Sequence, residues 1–72
     1  MKIYTTEEAV KCLLKRKNKN LEFKNMEDHN LEIFLCADGS VCKGEIGDGA
    51  VYKFNPEEYK NELWMMSLNP YR

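Results

Sequence analysis

Cys12, Cys36, Cys42 and His29 are the side chains of this sequence that could act as soft metal ligands, or as a thiol nucleophile with its base. Together they would make the four ligands of a structural zinc. No CxxC pair occurs, however, and their spacing matches no zinc pattern. A Cys–His dyad needs the ring beside the thiol and a third group to orient it. His29 lies in the polar run Glu27-Asp28-His29-Asn30, which reads as a turn. Cys36 and Cys42 flank a different turn, Ala37-Asp38-Gly39-Ser40. An odd cysteine count argues against a disulfide framework, so the thiols are read as small apolar residues. Hairpin register decides whether Cys36 and Cys42 share a face. A two-residue Asp38-Gly39 turn sets them on opposite faces. A three-residue loop closed by a glycine bulge pairs Cys36 with Ser40 and Cys42 with Phe34, on one face but only diagonally.

The remaining reactive residue types have simpler explanations. Glu7-Glu8 and Glu57-Glu58 follow helix-capping residues. Gly47-Asp48-Gly49 is too short to cradle a phosphate and reads as a turn. No GxxxxGK[ST], GxGxxG or HExxH occurs. No catalytic, cofactor-binding or metal-binding residue is therefore assigned, and the expectation is a protein that binds rather than one that catalyses.

Charge is unevenly spread. Residues 1–24 hold seven basic against three acidic residues, a net +4, whereas residues 25–72 hold four basic against nine acidic, a net −5. The basic cluster Lys15, Arg16, Lys17 and Lys19 is a candidate nucleic-acid contact, but it is also what a helix C-terminus favours. The whole chain carries a formal charge of −1, which argues against a nucleic-acid domain. An acidic half suits a basic protein partner, or mimicry of a nucleic-acid backbone. A second cluster is apolar: Tyr59, Trp64, Met65, Met66 and Tyr71 fall within thirteen residues. Tryptophan and tyrosine are common interface anchors, and methionine adapts to varied surfaces. A domain this small also needs its one Trp for the core, however, and in a strand Met65 or Met66 must point away from the face of Trp64.

These groups must be positioned by a small number of elements. Thr5-x-x-Glu8 is a capping box, with acids in the first turn that follows and Lys15, Arg16 and Lys17 in the last. Val10, Leu13 and Leu14 supply an apolar stripe, which predicts a helix near 6–17. The period then changes to two. Leu21 and Phe23, then Leu31, Ile33 and Leu35, then Val41, and finally Val51-Tyr52-Lys53-Phe54 read as strands separated by turn clusters. Asn55-Pro56-Glu57-Glu58 predicts a short second helix over about 56–62. Residues 63–68 fit a strand or a continued helix.

The expected architecture is α+β, one domain over 1–72. An antiparallel β-meander of four to five strands carries the N-terminal helix on one face, and a short second helix lies near the C-terminus. The helix stripe meets Leu31, Ile33, Leu35 and Val41. The opposite sheet face carries Phe34, Cys36 and Cys42, with Tyr52 and Phe54 as further candidates, and is too apolar to be wholly solvated. No apolar run approaches the roughly 18 residues of a membrane span, and the start MKIYTTEEAV has no apolar core. A cytoplasmic location is expected.

The order of a Thr-capped helix (Tyr4-Thr5-Thr6-Glu7-Glu8-Ala9-Val10), a strand meander, then Phe54 to Leu63-Trp64 resembles small accessory domains encoded by phages and prophages. Among them are oligomeric sponges that sequester a nucleotide signal. That family carries an Arg and a Trp just after its first helix. The nearest positions here are Phe23 and Met26, so no binding residue is carried over. The resemblance implies an accessory binding protein. The resulting expectation is a protein–protein interaction module, homo-oligomeric, whose partner surface is Phe34, Trp64, Met65 and Met66. The alternatives are a small-ligand (nucleotide) pocket at a subunit interface, and weak nucleic-acid binding at the basic end of the helix.

Overall fold

A computed structural model describes residues 2–71. In chain order the elements are β1 (Ile3–Thr5), α1 (Thr6–Arg16), β2 (Leu21–Asn25), β3 (Leu31–Leu35), β4 (Val41–Glu45), β5 (Val51–Lys53), a 3-10 turn at Pro56–Tyr59, and β6 (Leu63–Leu68). The fold is α+β, with one N-terminal helix on one face of a six-stranded antiparallel sheet of order β1-β6-β2-β3-β4-β5. Two expectations need correction. There are six strands rather than four or five, and the second helix is only a single 3-10 turn. Asn55 caps that turn and Pro56 starts it, but the chain must straighten by Leu63 to join the sheet, which leaves no room for further turns.

The capping box sets where the helix begins. Thr5 Oγ1 accepts the Glu8 N–H at 3.2 Å, and the Thr5 N–H donates to the Glu8 carboxylate at 2.9 Å. That bond holds the Glu8 carboxyl below the usual carboxylate range. The helix ends at Lys17, whose backbone is left-handed (φ 50°) and whose N–H returns to the Leu13 carbonyl at 3.2 Å. The buried line is Thr6, Ala9 and Leu13. Leu14, expected in the stripe, lies off that line and is 45% exposed.

β1 and β2 are both antiparallel to β6, so they run parallel to each other with β6 slotted between them. α1 is the crossover of this split βαβ unit, which seats it over β6, β2 and β3. From β2 to β5 the strands form the expected meander. The β3–β4 hairpin takes the three-residue form. Cys36 N–H bonds the Ser40 carbonyl, Gly39 is left-handed at φ 88°, and Phe34 pairs with Cys42. Cys36 and Cys42 thus share a face diagonally, and none of the three cysteines forms a disulfide.

Strand alternation divides the sheet into two surfaces. The helix side carries Leu21, Phe23, Leu31, Ile33, Trp64 and Met66, closed over by Ala9, Leu13, Phe54 and Tyr59. Phe54 and Tyr52 were expected on the opposite face. The register Ile33–Lys43–Tyr52 places Tyr52 on the helix side instead, and Phe54 is buried in the main core. The outer face carries two cross-strand rows. One runs Ile3, Met65, Lys24, Glu32, Gly44, Val51, and the other runs Ser67, Glu22, Phe34, Cys42, Lys53.

Candidate functional site

The structure separates the four expected partner-binding residues. Trp64 is 0% exposed. Its indole N–H donates to Thr6 Oγ1 at 2.7 Å, and the Thr6 hydroxyl in turn donates to the Tyr59 carbonyl. Phe54 and Tyr59 meet its ring edge-on, with centroids 5.7 and 6.1 Å away. Trp64 therefore anchors the core and is removed from the partner surface. The cause is topological: β6 lies between β1 and β2, directly beneath the helix. Phe34 is also withdrawn, at 6% exposure. It lies on the outer face, but its ring leans over Gly44, where a Cβ would stand 3.5 Å from it. Met66 shares the face of Trp64 and packs against the core. Only Met65 remains on the outer face and partly open.

Met65 has apolar company that sequence reasoning missed. Ile3 lies directly across from it on β1 and is 38% exposed, and Leu63, two residues along β6, is 47% exposed. These three side chains form an apolar corner on the uncovered face of the sheet. Further in, the same face becomes polar, with Lys24 placed between Glu22 and Glu32 by strand register. Both acids are buried.

Around the edge of β1, on the helix side, the character reverses. Lys2, Tyr4, Glu8, Lys11, Cys12, Lys15 and Arg16 line a groove of about 460 Å³. Four cations face it, and Lys2 lies over the Tyr4 ring, 5.0 Å from its centroid. Lys11 pairs with Glu7 at 3.2 Å, and Glu8 is committed to the Thr5 N–H. The candidate basic cluster is thereby divided. Lys15 and Arg16 join Lys2 and Lys11 here, whereas Lys17 and Lys19 line another groove, of about 500 Å³, with Leu14, Leu35 and Cys36. The left-handed backbone at Lys17 makes the division, because it turns the chain off the helix axis.

A third concavity lies at the far end of the sheet, where Leu31, Lys43, Glu45, Tyr52, Lys53 and Tyr59 enclose about 470 Å³. The Lys43 ammonium donates to the Tyr59 hydroxyl at 3.0 Å and stands 5.1 Å from that ring's centroid. This hydrogen bond raises the Lys43 pKa above its ordinary value. Tyr59 is itself held by stacking on Phe54. His29 is exposed in its turn, and among the described residues no group of three or more His, Cys, Asp or Glu is placed to hold a metal ion. No described helix is long and apolar enough to cross a membrane.

No protein-family model, curated protein or solved structure matches this chain. Two signals for the β1 corner were present in the sequence: the β-rich triplet Ile3-Tyr4-Thr5, and the alternation Leu63, Met65, Ser67 opposite Trp64, Met66, Leu68.

Proposed function

We propose that this protein is a binding module that acts by protein–protein contact, through the outer face of its sheet at the β1–β6 corner. The observation that carries the reading is the exposure of Ile3 and Leu63 beside Met65, on the face that the helix leaves uncovered. Sedimentation velocity over a concentration series tests it, with wild type and Leu63→Glu compared. The expected result is association of the wild type that the variant loses, with both chains folded. Equal association of the two chains overturns the outer-face assignment. A wild type that stays monomeric throughout removes self-association and leaves only a different partner.

The cleft at Lys43 favours a second reading, binding of a small ligand. Its support is an ammonium held in place by Tyr59, beside the exposed ring of Tyr52. A thermal-shift screen with nucleotides tests this, since a ligand at a hundredfold excess over its Kd adds about 2.7 kcal/mol of apparent stability. Stabilisation that persists in Tyr52→Ala places the ligand elsewhere. Nucleic-acid binding by Lys15, Arg16, Lys17 and Lys19 is less well supported, because these residues face two different grooves. Such binding would weaken steeply with added salt.

A further inference from the structure

We propose that the open edge of β1 takes up an extended acidic peptide as an added strand, with its carboxylates in the groove beside α1 and its apolar side chains on the outer-face corner. The proposal rests on the protein-contact reading above and names the partner's chemistry. Three observations meet at this edge.

The first is the backbone. β1 is the last strand of the sheet and, among the described residues, pairs only with β6. The Thr5 N–H does not face β6, because it donates to Glu8. The Leu63 carbonyl opposite Thr5 is likewise turned away, accepting from the Met26 N–H. Hydrogen-bonding direction alternates along a strand, so the N–H and C=O of Ile3 also point to the outer edge. They offer an incoming strand a donor and an acceptor.

The second is the pair of surfaces flanking that edge. An added strand would project alternate side chains to the two faces. On the helix side they would meet Lys2, Lys11, Lys15 and Arg16. On the other side they would meet Ile3 and Thr5 of β1, with Met65 and Leu63 one strand further in. Acidic and apolar residues in alternation match both surfaces at once.

The third observation excludes a second copy of this chain as the strand added at this edge. Antiparallel pairing of β1 with another β1 would bring both sets of lysines and arginines together, and like charges in that arrangement repel. The sheet's other edge, Val51–Lys53, presents Tyr52 rather than a carboxylate on the helix side. A nucleic acid could use the cations but not the strand edge.

The test uses the full chain, 15N-labelled, with an end-blocked eight-residue peptide of alternating Glu and Val as the probe. The expected result is amide shifts centred on Ile3, Tyr4 and Thr5. Affinity should fall about tenfold in Lys11→Gln/Lys15→Gln and fall as ionic strength rises. A Lys–Val peptide should not bind. Of two Glu–Val peptides, one N-methylated at its valines and one at its glutamates, one should lose binding, since only one set of amides can face β1. The proposal is overturned if Lys–Val binds as well as Glu–Val, if both methylated peptides bind unchanged, or if an oligothymidylate occupies the groove more tightly than the peptide. Loss of association in Leu63→Glu without any peptide binding overturns the added strand alone. Absence of both effects overturns the added strand and removes self-association at this corner as well.

Discussion

Leu63 and Trp64 are adjacent on β6, and the pleat sends them to opposite environments. Trp64 is fully enclosed, with its ring among Phe54 and Tyr59 and its N–H on Thr6. Leu63 is nearly half exposed, beside Ile3 and Met65 on a face with no helix over it. The same contrast holds for Met66 and Met65. An aromatic and methionine-rich segment is therefore one element with two roles, and residue type alone does not assign them. Its inward half closes the core of a small domain. Its outward half is the part free to touch another molecule.

If that division holds, the largest effect belongs to the inward half. Trp64→Ala is expected to cost about 3–5 kcal/mol, as large aromatic truncations in packed cores do. In a domain of this size that removes most of the stability. Urea denaturation followed by circular dichroism reads the loss directly. A cost below about 1 kcal/mol would mean that the helix side of the sheet is not sealed.

A smaller effect separates packing from hydrogen bonding within the same core. Thr6 Oγ1 accepts from Trp64 and donates to the Tyr59 carbonyl, tying α1 to β6 and to the 3-10 turn. Thr6→Val keeps the shape but strands the buried indole N–H, at about 1–3 kcal/mol. Thr6→Val in a Trp64→Phe background should cost much less, because no N–H is then left unpaired. Equal costs in the two backgrounds would show that the bond from Trp64 contributes nothing and that Thr6 acts through its packing and its bond to the Tyr59 carbonyl.

The outward half should respond differently. Leu63→Glu is expected to change stability by no more than about 0.5 kcal/mol, the range for exposed positions, while abolishing any association. A destabilisation comparable with that of Trp64→Ala would erase the contrast between the two halves.

Local signals made half of this architecture legible. The capping box at Thr5 and Glu8 and the basic end at Lys15, Arg16 and Lys17 act within a few residues, so the helix was readable. So was the β3–β4 hairpin, although its register stayed open until Gly39 was seen to close a three-residue loop. What could not be read depends on partners far apart in sequence. Ile3 pairs with Met65 and Asn25 with Trp64. Before those pairings are known, a three-residue strand such as β1 has too few positions to show a period. The faces of Leu63 and Trp64 follow from the same pairings, which is why residue type alone does not tell which of the two is enclosed. Lys15 and Arg16 look continuous with Lys17 and Lys19 until the left-handed residue between the helix and β2 sends them into separate grooves.

The smallest effect concerns the far end of the sheet and sharpens the comparison from a polar side. Lys43 faces the helix side, as Trp64 does, but it lies at the rim, where its ammonium reaches the Tyr59 hydroxyl. Its pKa is raised in the folded chain, chiefly by that hydrogen bond. A raised lysine pKa contributes stability that is fully present below the unfolded value of about 10.4 and is lost as pH rises through the folded pKa. Solvent screens a group in this position, so the contribution is small. Tyr59→Phe removes the acceptor while keeping the stack on Phe54. NMR titration of the Lys43 side chain should then show a lower midpoint than in wild type. The stability difference between the two chains should stay constant below about pH 10 and narrow above it. Identical midpoints would mean that Tyr59 serves the core through its ring and leaves the Lys43 cleft without a fixed cation.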